Sequence, residues 1–303
     1  VQADAVGVSL TYHQEGVRHG VRSRWVIDAS GRTSVVGNAF QLPKSDLAMP
    51  KRLAIFAHFR GAHRNEGDAS GHITIVRLEN AWFWFIPLDQ SKTSVGLVQL
   101  LDTFKSQGVS PEESFQLAVK NHAELRFRLK HAERISSIHT EGDYTFRYHQ
   151  AAGPRWLLAG DAAGFIDPIF SSGVMVALRS SRLAAKAILS ADATGRDLSV
   201  REQNAYTRCV KKMTSVFLNM IRMFYDRNSF EVFMGSNPWL DLPRAVVNLV
   251  GGNTNLPWSL QWRVWVFYII CWLQRYVQIA PRLSFQESPR KSVGNSTAKP
   301  MAV

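Results

Sequence analysis

The sequence predicts an α/β (α+β) chain, strand-rich in its first half and helical in its last third. Three observations carry this. Between residues 51 and 100, four short apolar runs, "RLAIFAHF", "HITIVRL", "AWFWFIPL" and "TSVGLVQL", are separated by polar breaks, the pattern of an antiparallel sheet. The run "RWLLAG" (155–160) ends in Gly-Asp and leads into a helix of small residues, which gives the order strand, tight turn, helix. Beyond residue 199 the spacing is helical throughout. With 303 residues, 46% hydrophobic and 20% charged, the chain can bury one large core or two ordinary ones, and a disordered polymer is excluded.

Taken in order, "AVGVSLTY" (5–12) and "VRSRWVID" (21–28) read as strands about the polar turn "HQEGVRHG". The second runs into the turn cluster "DASGRTS" (28–34) with Gly31. After the four runs of 51–100, residues 111–130 read as one helix, with Pro111 at its start and Glu112 and Glu113 in its first turn. "DYTFRY" (143–148) and "RWLLAG" return to strand. Residues 173–191 carry Val174, Ala177, Leu178, Ser181, Ala184, Ala185 and Ile188 at helical spacing, and the small ones allow close packing on a sheet. Helices are expected over about 200–226, 239–250 and 258–276, and the polar tail "ESPRKSVGNSTAKPMAV" reads as disordered. These elements group as 1–50 with 136–195, an antiparallel sheet over 51–135, a helical region over 196–285, and the tail over 286–303.

The net charge of +12 invites nucleic acid, a membrane surface or an anionic ligand. The basic residues are scattered and no nucleic-acid motif is present, so nucleic acid is set aside. Cys209 and Cys271 stand outside any CxxC or metal-ligand spacing, and the histidines, His58, His63, His72, His122, His131, His139 and His149 among them, form no HExxH; no metal is expected. The N-terminus shows no signal peptide and no starting Met, so a cytoplasmic protein read from a fragment is expected. "VWVFYIICWL" (264–273) is the most apolar run, and its ten residues fall short of the ~20 that span a bilayer. It reads as a buried helix. An interfacial helix anchored by Trp258, Trp262, Trp265 and Trp272 is the alternative.

The stretch "GDAAGFIDPIFSSGV" (160–174) carries the chemistry. A buried strand delivers Gly160 to a turn where backbone can approach a ligand, and Asp161 can accept bonds from a hydroxyl chain. The following helix begins with outward N–H groups that can hold an anion or a polar ring edge. Pro168 stiffens the approach, Ser171 and Ser172 are cap-type residues, and Gly173 leaves its own N–H uncovered. From spacing alone, an ordinary capped helix after an ordinary strand explains the same residues. Asp143 and Asp167 are possible acid or base groups with no evident partner.

"GDAAGFIDP" with its small-residue helix resembles the second flavin-contact motif of class A flavoprotein monooxygenases, and "DASGRTS" resembles their other cofactor-side signature. The chain is most similar to the flavin-dependent halogenases. Their F-x-x-P-x-x-S-x-G pattern is met by Phe165, Pro168, Ser171 and Gly173, and their W-x-W-x-I-P pattern by Trp82, Trp84, Ile86 and Pro87. The helical tail looks most like that of the fungal free-standing phenolic halogenases.

The resemblance implies an incomplete Rossmann-like FAD/NAD(P)-binding flavoprotein fold, with an antiparallel substrate sheet and a C-terminal helical region. It implies FAD as FADH2 from a separate flavin reductase, O2, chloride as co-substrate, and chlorination of an electron-rich, phenolic and polyketide-derived aromatic, free or carrier-bound, in secondary metabolism. By the match, Ser172 and Gly173 contact halide, Gly160, Asp161 and Val174 contact the cofactor, and Trp82 and Trp84 share one face of a strand that keeps substrate from flavin. Tryptophan-acting members carry a glutamate where this chain has Phe170, which argues against tryptophan as substrate. The family's G-x-G-x-x-G has no counterpart in these residues, and its catalytic lysine lies upstream of the matching region, so Lys44, Lys51 and Lys92 are not nominated. A class A aromatic hydroxylase and an inactive flavoprotein remnant are the alternatives.

Overall fold

The computed structural model describes residues 1–142, 145–235, 242–253, 256–283 and 285. Contacts divide the chain into two units, residues 1–50 with 144–282 and residues 51–143 with 283–303.

The first unit is organised around a parallel pair. Strand Trp156–Leu158 lies beside Val26–Asp28, with Leu157 opposite Ile27. Leu157 and Leu158 are fully buried, as a strand covered on both faces requires. The preceding hairpin, Val8–Gln14 with Val17–Ser23, is longer than the apolar pattern predicts. The turn is only Glu15-Gly16, both with positive φ (51° and 78°), the two-residue geometry that matches strand twist. The rest of "HQEGVRHG" is strand, hidden from apolar-run reasoning because the hairpin is exposed on most of its residues. The predicted strand 21–28 is interrupted at Arg24-Trp25, where Arg24 reaches out to Asp192 at 2.6 Å.

Helix Gly173–Asp192 forms where expected, but its buried face is Val176, Ser180, Ala184 and Ala191, which corrects the predicted face: of the predicted set only Ala184 is buried, and Val174 and Leu178 stand in solvent. Helix Val200–Tyr225 starts at a capping box, with Ser199 and Glu202 each bonding the other's backbone N–H. Its buried stripe includes Tyr206, Val210, Met213, Phe217, Ile221 and Phe224. A further helix, Arg227–Met234, was not foreseen. Asp226 ends one helix and caps the next, its Oδ2 accepting from Ser229 N at 2.9 Å. Helices Leu242–Val250 and Trp258–Leu273 follow; residues 239–241 of the predicted helix lie outside the described residues, as does the polar tail. Trp258–Leu273 corrects the buried-helix expectation. Only one face, with Val264, Phe267 and Cys271, is buried, and Trp258, Trp265 and Trp272 stand exposed.

The second unit holds the antiparallel sheet. Its order is Glu133–Arg134, Arg52–Arg60, Lys92–Leu100, Ala81–Pro87, Thr74–Arg77, with His139–Gly142 also paired to Arg52–Arg60. Period two sends Phe83 and Phe85 to one face, where they pack with Leu97, Phe115 and Leu125. The predicted helix 111–130 is two helices, Pro111–Lys120 and Ala123–Leu129. His122 between them is extended (φ −133°, ψ 122°). Helix Leu101–Gln107, ending on Gly108 in the left-handed region, was missed because it continues directly from an apolar strand.

Candidate functional site

The two motif turns of the first unit are joined by short hydrogen bonds. The buried Asp28 carboxylate accepts from Ser30 N (3.0 Å), Ser30 Oγ (2.6 Å) and Val36 N (2.7 Å), which fixes the "DASGRTS" turn. Ser34, held at φ 43°, donates its hydroxyl to Ala162 O at 2.9 Å. "DASGRTS" and "GDAAG" therefore form one surface.

Gly160 has φ +57°, and a Cβ there would meet Ala177 Cβ at 3.0 Å. The close approach it permits is to the Gly173–Asp192 helix, and Ser180 Oγ accepts its N–H at 2.8 Å. Asp161 follows, half-buried, and its carboxyl is pushed up by burial, an effect the nearby Arg32 opposes. Its Oδ1 lies 3.8 Å from where a Cβ of Gly173 would stand, so the carboxylate and the helix start border the same space. Phe165 pairs with Phe146 across strands and carries the Arg32 guanidinium 5.5 Å above its ring.

Next comes the turn that sets the helix start. Asp167 is buried, and its Oδ1 accepts from Ile169 N at 3.1 Å. Its Oδ2 accepts from Tyr225 Oη at 2.7 Å, a partner the sequence did not reveal. Pro168 opens the short 3₁₀ turn Pro168–Phe170, and Ser171 leaves it in the left-handed region (φ 51°, ψ 30°). Phe170 turns into an aromatic nest with Phe224 and Phe233, ring centroids 6.1 and 6.2 Å away. Ser172 occupies the N-cap position but corrects the capping expectation. Its backbone is already helical (φ −79°, ψ −10°), and its hydroxyl makes no capping bond. Gly173 and Val174 are exposed on the first turn, and a Cβ on Gly173 would meet nothing but the Asp161 carboxylate. First-turn amides have no acceptor inside their own helix, so an anion or a polar ring edge can approach them here.

Trp82, Trp84, Ile86 and Pro87 lie on the Ala81–Pro87 strand of the other unit. The two indoles share a face with centroids 5.7 Å apart, as the alternation predicts. Trp84 donates Nε1–H to Ser94 Oγ at 3.1 Å and lies across Gly96, where any Cβ would fall 2.2 Å from its ring.

A sequence profile described as tryptophan halogenase matches residues 4–233. The chain belongs to the tryptophan halogenase family. Among relatives of this tryptophan halogenase family chain is the 1H-pyrrole-2-carbonyl-[peptidyl-carrier protein] brominase of Pseudoalteromonas luteoviolacea, 30% identical over 255 residues, 83% of this chain and 62% of the brominase. Another is the sulochrin halogenase gedL of Aspergillus terreus, 30% identical over 184 residues, 58% of this chain and 34% of that one. The chain thus spans between a third and two thirds of the length of these relatives. The solved structure of the flavin-dependent brominase Bmp2 superposes with a TM-score of 0.77 at 27% identity, covering 89% of this chain and 68% of that one. The mixed fold with its antiparallel sheet and C-terminal helices is the fold of these halogenases.

Two contributors were not assigned from sequence. Arg32 lies inside "DASGRTS", where the pattern gives it no role, and Tyr225 lies 58 residues from its partner Asp167, beyond any local signal.

Proposed function

We propose that these residues belong to a flavin-dependent halogenase that chlorinates an electron-rich aromatic, phenolic and polyketide-derived, in secondary metabolism. The observation that carries the reading is the uncapped helix start at Ser172-Gly173, beside the Asp161 carboxylate, in a chain of this family. These residues fit one part of FAD. An open helix start and a half-buried acceptor suit a ring edge and a hydroxyl chain, whereas no G-x-G-x-x-G is present for the pyrophosphate. Reduced FAD, delivered by a separate reductase, supplies with O2 the oxidising equivalent: FADH2, O2, chloride, a proton and the arene give FAD, the aryl chloride and two waters.

The chain's own part is to bind and orient. The backbone N–H groups of Ser172 and Gly173 hold chloride without a cationic side chain, and Val174 faces the cofactor. Neutral donors bind a halide while leaving it free to react. Asp161 orients the hydroxyl chain. Phe170, nested among Phe224 and Phe233, offers no carboxylate, which supports a phenol or pyrrole over tryptophan. The brominase, named for a pyrrole held on a peptidyl-carrier protein, supports a carrier-bound substrate. A cytoplasmic setting accords with the two free cysteines.

The test is incubation of the halogenase to which these residues belong, its G-x-G-x-x-G segment included, with FAD, a flavin reductase, NADH, chloride and an electron-rich phenol, with products read by mass. Chlorinated product is expected. Hydroxylated product alone would move the assignment to an aromatic hydroxylase.

A further inference from the structure

We propose that the exposed aromatic stripe of the Trp258–Leu273 helix, with the arginine cleft beside it, seats this protein on the surface of an anionic phospholipid membrane. The inference is independent of the reaction proposed above.

The helix buries Val264, Phe267 and Cys271 and turns its other face outward. On that face Trp258, Trp265 and Trp272 recur every seven residues, with Ile269 and Tyr276 between and beyond them. Their exposures are 70%, 51% and 55% for the tryptophans, 54% for Ile269 and 72% for Tyr276. The stripe is continuous at both ends. Trp258 and Trp265 meet edge to face at 5.6 Å, and Trp272 and Tyr276 lie 5.2 Å apart. Large side chains gathered this way keep apolar surface in water, which single exposed residues do not. Tryptophan and tyrosine pair an apolar ring with a polar edge, the composition favoured where hydrocarbon meets headgroups.

Charge selects the occupant. No Asp or Glu occurs from Leu242 to Leu283, whereas Arg244, Arg263, Arg275 and Arg282 do, Arg282 being paired with the buried Glu231 at 2.9 Å. At the Trp272 end a cleft of about 310 Å³ is lined by Arg222, Arg275, Asn219, Ser229, Tyr268 and Trp272, among others. Arg222 gives one N–H to Leu47 O at 2.8 Å, and Arg275 stands 3.6 Å from Asp226. A guanidinium has five N–H donors, so both arginines keep donors for a phosphate group. An apolar stripe ending at a pair of arginines matches a lipid surface, with rings at the acyl boundary and phosphates at the cleft. A second copy of the chain would bury the stripe but would bring the cleft arginines no anion from this segment, which holds no Asp or Glu. No helix among the described residues is long and apolar enough to cross a membrane, and this one has 16 residues, so the contact lies along the surface.

The test uses the full chain with vesicles of phosphatidylcholine alone and of phosphatidylcholine with phosphatidylglycerol, read by flotation and tryptophan emission. Binding is expected to the mixed vesicles, weakened by salt, with quenching when bromine-labelled phosphatidylcholine is included. Trp265→Ser with Trp272→Ser should reduce partitioning at least about tenfold, since two rings no longer leave water. Arg222→Gln with Arg275→Gln should remove the preference for anionic vesicles. The proposal is overturned if the unaltered protein neither floats nor is quenched, or if folded tryptophan variants partition as before. It is also overturned if the protein self-associates without vesicles and the tryptophan variants abolish that, which would make a second copy the occupant. The quenching arm uses no variant, so it decides even where a substitution impairs folding.

Discussion

Gly173 leaves the first turn of its helix open to an approaching group. Its φ lies outside the left-handed region and a Cβ would meet only Asp161 Oδ1, at 3.8 Å, so neither backbone strain nor packing demands glycine. Gly173→Val is therefore expected to fold while blocking the helix start. In the halogenase that carries these residues with a G-x-G-x-x-G segment, chlorination should fall steeply with little change in flavin affinity, and a chloride dependence like the wild type would put the halide elsewhere. Ser172→Ala, which removes a hydroxyl that caps nothing, should change that dependence little. Asp161 gives a second residue-scale expectation. Burial raises its carboxyl pKa, so the folded state disfavours the charge. Stability is then lost as pH rises from the ordinary carboxylate range through the raised value. Asp161→Asn should show a higher urea midpoint than wild type at neutral pH and no gain at a pH below both values. Equal midpoints at neutral pH would mean that the carboxylate is fully satisfied in place.

At the scale of elements, the helices that frame the site are held at their ends. Ser199 and Glu202 close the start of Val200–Tyr225, the helix whose last residue holds Asp167. Arg196, and then the Ser199 hydroxyl, hold the Glu202 carboxyl down at about 2. That contribution is present above the ordinary glutamate value and is lost only as pH falls toward 2. Ser199→Ala should cost about 1 kcal/mol, seen as a fall of about 2–4 °C in Tm. An unchanged Tm would show that the box is redundant with the packing of the buried stripe.

For the molecule, the joined turns of "DASGRTS" and "GDAAG" supply one side of the cofactor site proposed above, and the 303 residues contain no G-x-G-x-x-G to supply the other. This chain by itself is expected to bind FAD weakly, with no saturation in a flavin fluorescence titration at micromolar concentrations. Tight binding would mean that the pyrophosphate is held by other residues.

The sequence by itself determined what local pattern can encode. Alternation in "AWFWFIP" put both indoles on one face, helical spacing marked the extent of Gly173–Asp192 though not its buried face, and the two motifs pointed to the family. Its errors fell where local pattern is weak. The exposed hairpin has no apolar run, helix 111–130 breaks at an unremarkable Asn-His, and nothing near Ser172 says that its backbone is already helical. The tertiary structure alone decided the rest. Tyr225 meets Asp167 because two distant segments pack together, and Gly160 serves the helix at Ala177. Burial of one face of Trp258–Leu273 leaves Trp258, Trp265 and Trp272 in solvent and Trp262 half-buried, since an apolar helix is buried only as far as its neighbours reach around it.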